Sequence, residues 1–342
     1  MKTKTYNPYL DIIKFVLANM VVCIHFVIPG QIGDAIDCLA RVAVPFFFIV
    51  SGYYSYNCET RVLFRRFGKN LLFLTGFSLL YFIWGIWNTV YVSGGDFSSY
   101  FHDKINRTTA VDFLLYGINP FSNHLWFLHA LLVSYLFFTI AQLTIKNKKI
   151  LYGLLIIAMM LLLGVHLYWG SVLPMLSMES VPKKLYRNAW MFGIPLFLVG
   201  YIIHLWEYRK SSLPKRGQIV LSVLAIIGIA FGLLQWFTFG HSEMPIGILL
   251  TTISIFILST CSNGNGCNSV FVKIAKQLGK ASVWIYMIHK LVGEAIQVYS
   301  PYNSFCNQIA SNWYLFPFVV MCFSICFSFI IIICTGLIKK RR

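Results

Sequence analysis

The chain has little charge and less acid: charged residues make up 11% of 342, with 11 Asp and Glu against 28 Lys and Arg. So little charge excludes an ordinary soluble domain. There is no low-complexity tract, no repeat at a fixed short period and no polar stretch long enough to form a soluble domain. The nine cysteines show no metal-ligand spacing, since Cys261 and Cys267 stand too far apart for a C-x-x-C motif, and no metal is expected. Cys38 and Cys306 fall on one side of the membrane in the topology below and are candidates to pair. A cleavable signal is not expected either: the N-terminus is short and basic, and the first apolar segment is long enough to span without a small-residue cleavage site.

What fills the sequence instead is apolar. Hydrophobic residues account for 58% and the mean hydropathy is +0.71. Runs of about twenty such residues recur between short polar breaks, the length a bilayer requires. They predict spans at 10–29, 41–57, 70–92, 124–145, 149–169, 190–206, 218–237, 245–261, 282–299 and 313–337. The expected fold is all-α, one integral-membrane domain over residues 1–342 with about ten transmembrane helices. A short helix is expected near Ala110–Tyr116, inside the longest outer loop, 93–123.

The net charge of +17 invites a nucleic-acid reading, but its placement argues otherwise. With an even number of spans both termini share a side. That side collects twenty basic residues, from Lys2 and Lys4 through Arg61, Arg65, Arg66 and Lys69 to the tail Lys339–Arg342. The other side holds five: Lys104, Arg107, Lys183, Lys184 and Arg187. This is the positive-inside pattern, so both termini are expected in the cytoplasm and nucleic acid is not an expected partner.

Within the first span, YLDIIKFVLANMVVCIHFVIPG, lie Asp11, Lys14 and His25. Eleven residues return a helix to nearly the same face, so Lys14 and His25 share a stripe roughly 16 Å apart along the axis. Asp11 sits one turn below Lys14. Titratable groups inside a spanning helix are costly and usually face a bundle interior or a wet cavity. The plainer reading makes Asp11 and Lys14 an interfacial pair and His25 a headgroup neighbour; the shared stripe argues against it.

Other polar residues converge on the outer half. The second span opens RVAVPFFFIVSGYY, with Arg41 near the outer surface and Ser51–Gly52 about ten residues deeper, where small residues also serve close helix packing. His124 and Trp126 enter with the fourth span, Trp126 also suiting an ordinary interfacial anchor. Arg187 and Asn188 open the sixth. The ninth runs outward with Tyr286, His289, Lys290 and Glu294, the last two one turn apart and able to neutralise each other. A polar shaft through the domain is the expected picture. On the cytoplasmic face Arg65, Arg66 and Lys69 follow the second span at helical spacing. They suit a pyrophosphate, though composition alone favours their touching anionic lipid.

These residues are also where the chain resembles a known family, the integral-membrane acyltransferases of family 3, which O-acylate cell-surface sugars from cytoplasmic acyl-CoA. The matching pieces are Lys14 and His25, the block from Arg41 to Tyr53, and the pair Arg65–Arg66. To these are added His124-Leu-Trp126-Phe-Leu, Arg187–Asn188 leading to Pro195 and Gly200–Tyr201, and Ser282 to His289, in the family's order over nearly the full length. The resemblance implies ten helices, His25 as catalytic base, and Arg65 and Arg66 as acyl-CoA contacts. Members commonly carry arginine where this chain has Lys14, which gives up a bidentate contact. RVAVPFFF is also similar to the membrane domain of vancomycin-resistance serine racemases. No racemase domain follows the last span here, from which a stand-alone acyltransferase is expected, with a serine-like transporter module as the alternative.

The chemistry that fits is acyl transfer across the bacterial cytoplasmic membrane. His25 accepts the proton of a glycan hydroxyl that attacks the thioester, with Lys14 on its stripe and Arg41 or another cation at the developing oxyanion. Ser51 and Ser282 suit a covalent route poorly without a partnered base. Expected substrate contacts are Asp11, Ser51, His124, Trp126, Arg187, Asn188, Tyr286 and His289; Arg65, Arg66 and Lys69 are expected on acyl-CoA. No tightly bound cofactor is expected. Acetyl-CoA is the expected co-substrate, and a cell-surface or lipid-linked glycan the acceptor.

Overall fold

The computed structural model describes residues 6–178, 181–208, 213–261 and 267–340, and over these the fold is all-α. The path runs through α1 (Pro8–His25), α2 (Gly30–Ala40), α3 (Ala43–Tyr53), α4 (Thr60–Trp87), α5 (Phe97–Lys104), α6 (Arg107–Tyr116), α7 (Trp126–Thr144) and α8 (Lys148–Leu167). It continues through the single turns α9 (Leu173–Met175) and α10 (Lys183–Tyr186), then α11 (Ile194–Tyr208), α12 (Lys215–Phe239), α13 (Ile246–Cys261), α14 (Ser269–Tyr299), α15 (Ser304–Ser311) and α16 (Phe316–Lys340). Wider π-helical turns extend α4 and α8 and open α11, at Asn88–Val92, Tyr168–Val172 and Ala189–Gly193.

Asparagine starts many of these helices. Asn7, Asn106, Asn147, Asn268 and Asn303 each accept from a backbone N–H of the first turn, answering donors that a helix start leaves without partners. Pro8 follows Asn7 at a position where its missing N–H costs nothing.

Among the described residues, eight helical stretches are long and apolar enough to cross a membrane: Pro8–His25, Gly30–Tyr53, Thr60–Val92, Asn123–Thr144, Lys148–Met175, Ala189–Trp206, Lys215–Phe239 and Phe316–Leu337. Two expected spans fall outside this set for different reasons. The segment expected at 245–261 forms α13, an apolar helix of only 16 residues. The one expected at 282–299 is the C-terminal part of α14, which begins at Ser269 and carries Lys273, Lys276, Lys280, Lys290 and Glu294. Its middle, from Ala281 to His289, is largely buried against neighbours, and a helix walled by protein needs less lipid-facing apolar surface. The expected start of the second span at Arg41 also moves: residues 30–40, read as loop, form α2. The segment 93–123 holds two helices, α5 and α6, where one was expected.

The chain folds as two compact units, one of Met1–Ala43, Leu213–Leu234 and Gly247–Arg342, the other of Val44–Ser212 and Gln235–Ile246. In the first, α1 lies along α14, both running in the same direction. Gly279 faces Asp11 and Gly293 faces the Phe26 ring so closely that a methyl group at either would collide. In the second, α3 and α11 meet through reciprocal glycines: a Cβ on Gly52 would strike the Phe197 carbonyl, and one on Gly200 the Ile49 carbonyl. Close approach through small residues is the usual means of joining helices where lipid is as apolar as leucine. In the same unit Asn70, buried in α4, donates to the Leu128 carbonyl of α7 at 2.8 Å.

All nine cysteines are free thiols, Cys38 buried in α2 and Cys306 partly covered in α15, so the candidate pair is not formed. The N-terminal residues 1–5 and the tail 341–342 lie outside the described residues. Single-cysteine labelling in a cysteine-free background is expected to find 145–147 reachable from the cytoplasm and 93–96 from outside. Labelling of 145–147 from outside would overturn the inside assignment drawn from the basic residues.

Candidate functional site

The first unit holds the stripe read from α1. Lys14 Nζ lies 2.5 Å from Asp11 Oδ1, and the Tyr6 hydroxyl donates to Asp11 Oδ2 at 2.6 Å. Lys276 sits over the Tyr6 ring at 4.7 Å. The charge that Lys14 brings into the helix is thus answered one turn below, as the i, i+3 spacing predicts. His25 ends α1, half-buried, and its imidazole lies 5.1 Å from that of His289, centroid to centroid, at a tilt of 38°. His289 is fully buried, its Nδ1 donates to the Ile285 carbonyl at 3.1 Å, and Tyr286 is 6.0 Å away ring to ring. Two histidines from opposite ends of the sequence are thus brought into contact. Ser282 donates to the Gly279 carbonyl at 2.8 Å, and Lys290 pairs with Glu294 at 3.7 Å.

Arg41, also in this unit, is gripped by Asp37 one turn earlier. Nε donates to Oδ1 at 3.2 Å and Nη2 to Oδ2 at 3.1 Å, a forked pair with Asp37 nearly buried. The i, i+4 signal was present in the sequence, but reading 30–40 as loop concealed it.

The second unit carries the remaining candidates. The Arg187 guanidinium lies 4.9 Å above the Trp126 ring, an arrangement that arginine favours over lysine. Its Nε is 3.6 Å from Glu243, whose other oxygen is 3.3 Å from Lys183. Glu243 is almost wholly covered and was not anticipated; it lies in a short connection without a motif. Trp126 is buried and meets Phe192 edge-on at 5.4 Å, so it is more than a surface anchor. His124 is buried, with Nδ1 2.8 Å from Ser122 Oγ and its ring 5.1 Å from Tyr81. Asn188 works on the backbone: Nδ2 donates to the Lys184 and Leu185 carbonyls while Oδ1 accepts from Trp190 and Met191 N–H. That staple fixes the turn on which Arg187 stands. Ser51 donates to the Phe47 carbonyl at 2.8 Å within its own helix.

The basic trio after α3 divides. Arg66 donates to the Tyr54 carbonyl at 2.8 Å and to Ser55 Oγ at 3.3 Å. Arg65 is exposed, and Lys69 lies 5.6 Å over Phe73. One further buried histidine, His166, escaped the sequence reading because it sits in an apolar run; its Nδ1 donates to the Tyr186 carbonyl at 2.9 Å. Among the described residues no group of three or more His, Cys, Asp or Glu is placed to hold a metal ion.

Comparison with known proteins bears on this arrangement. The serine/alanine racemase of Enterococcus gallinarum is 26% identical over 310 residues, covering 83% of this chain and 40% of that protein. The chain thus spans about two-fifths of that relative's length. No solved structure matches it. A family model described as an acyltransferase domain matches residues 7–333, from the cap of α1 into α16. The chain, with its bilayer-length apolar helices, therefore belongs to the family 3 membrane acyltransferases.

Proposed function

We propose that the protein transfers an acyl group, acetyl by expectation, from acyl-CoA on the cytoplasmic side to a hydroxyl of a cell-surface or lipid-linked glycan on the outer side. The observation that carries this reading is the histidine pair at the end of α1, in a helix whose only other charges, Asp11 and Lys14, neutralise each other. An imidazole titrates near neutrality and can take the proton of a hydroxyl as its oxygen attacks the thioester carbonyl. The carbon–sulfur bond then breaks, and the same imidazole returns the proton to the departing thiolate. Arg41, oriented by Asp37, is assigned to the charge that develops on the carbonyl oxygen. Arg187 and Trp126 offer a cation and an aromatic surface of the kind that sugars use. The decisive assay follows thioester turnover by purified protein with acetyl-CoA, with and without cell-wall glycan. Absence of both hydrolysis and transfer would sink the reading.

The likeness to a serine/alanine racemase favours a second reading, a membrane module that handles a serine-like amino acid. Saturable serine accumulation in sealed vesicles, independent of acetyl-CoA, would establish it in place of the first.

Arg65 and Arg66 are assigned to the CoA phosphates, and the geometry gives them unequal parts. Arg65→Gln is expected to weaken acetyl-CoA binding, with a wild-type affinity that falls as salt rises. Arg66→Gln is expected also to lower thermal stability, because it releases the chain after α3. Unchanged acetyl-CoA affinity in both variants, with correct insertion, would return these residues to the lipid surface.

A further inference from the structure

We propose that the acceptor is an acidic glycan, whose carboxylate or phosphate seats in the guanidinium fork of Arg187; the inference deepens the acyl-transfer reading and rests on it. Two contacts hold this guanidinium in place. Its flat face rests 4.9 Å over Trp126, a buried ring that Phe192 and Phe48 flank at 5.4 and 6.3 Å. Glu243 lies beside it, and the nearest approach, from Nε, is 3.6 Å, too long for a hydrogen bond. Among the described residues none of the five guanidinium N–H donors is hydrogen-bonded, and the side chain is 29% exposed. Arg41 differs, because it spends its fork on Asp37. Arg187 is therefore held by stacking and by charge while its donors stay unspent.

The charge beside it does not balance. Glu243 is one carboxylate between two cations, Arg187 on one oxygen and Lys183 at 3.3 Å on the other. The neighbouring Lys184 has its own partner, Asp112 at 3.2 Å. One positive charge is left over, on an arginine that is only partly solvated.

The cluster is also built in advance, because backbone ties fix it from two directions. On the Glu243 side, buried Ser171 donates to the Met244 carbonyl at 2.9 Å, and buried Ser242 donates to the Gly170 carbonyl at 2.7 Å. These bonds stitch the connection that carries Glu243 to the π-helical turn Tyr168–Val172. On the other side the Asn188 staple fixes the turn that carries Arg187. A carboxylate or phosphate takes two parallel N–H bonds from such a fork and cancels the surplus charge. A neutral sugar hydroxyl takes a bond and leaves the charge. Preorganised donors favour the ligand that uses all of what they offer.

The probes are three glucose disaccharides: one unmodified, one with a glucuronate in place of a glucose, and one with a 6-phosphate. Equilibrium binding to the purified full chain is measured with each, and KM in acetyl-CoA-dependent transfer. The wild type is expected to bind an acidic probe about 10-fold or more tighter than the neutral one, by a margin that shrinks as salt rises. Which acidic probe is preferred tells carboxylate from phosphate. Arg187→Gln is expected to remove the margin with KM for acetyl-CoA unchanged. Lys183→Gln alters a side chain that is 66% exposed, and it is expected to lower the margin about 3-fold. Equal affinity of the wild type for all three probes overturns the proposal, whether or not either variant folds. A margin that survives in Arg187→Gln also overturns it. Serine bound by a wild type that shows no margin among the disaccharides overturns it in favour of the amino-acid module. A wild type inert toward acetyl-CoA that still prefers an acidic probe counts against the acyl-transfer reading alone, since binding decides the anion site by itself.

Discussion

His25→Ala is expected to lower acetyl-CoA-dependent transfer by about 10²-fold or more, the scale of a positioned general base, while the protein stays inserted and folded. The expectation of folding is structural. His25 is the last residue of α1 and only half-buried, so truncation there leaves the helix, its contacts with α14 and its asparagine cap in place. Binding of acetyl-CoA should survive, because the groups assigned to its phosphates lie elsewhere in the chain. Partial rescue by added imidazole would mark a missing base rather than a disturbed fold. Turnover within a few-fold of wild type in a correctly inserted His25→Ala protein would remove this residue from the mechanism.

The second large effect is on stability. Asp37→Ala is expected to cost about 3–5 kcal/mol, because removing one partner of a covered ion pair leaves the other charge in a poorly solvated place. The pair is forked, and both side chains are mostly covered, Arg41 at 15% and Asp37 at 7% exposure. Replacing both partners, as in Asp37→Leu with Arg41→Met, is expected to fold nearly as well as wild type and to turn over poorly, since the cation assigned to the oxyanion is gone. Thermal melts of the purified variants separate these outcomes. A single Asp37→Ala variant as stable as wild type would show that Arg41 does not depend on this carboxylate.

The parts legible in the sequence were those written locally. The length of the apolar runs announced the spans, and helical spacing put Asp11 beneath Lys14, as the ion pair confirms. What escaped was mostly separated along the chain. Nothing in the first span says which helix will face His25; His289 was named among the polar residues of the ninth span, yet its ring contact with His25 depends on glycines at 279 and 293. Glu243 was invisible for the same reason, a lone carboxylate whose partners, Lys183 and Arg187, are chosen by folding. Arg41 is the instructive exception. Its partner stood four residues earlier, and only the loop reading of α2 hid it. Asn188 stands in a promising place, and its hydrogen bonds go to nearby backbone.

The reciprocal glycines between α3 and α11 have a mechanical meaning. Each helix presses its bare Cα against a carbonyl of the other, at Gly52 on Phe197 and at Gly200 on Ile49. Shift either helix by one residue and a side-chain carbon arrives where only hydrogen fits. The two act as meshed teeth with a single register, so this seam can tilt as a block but cannot slide. A carrier that worked by shearing these two helices past each other would jam at every step. A catalyst through which only an acyl group passes has no need of such sliding, and its seam can stay welded throughout the cycle.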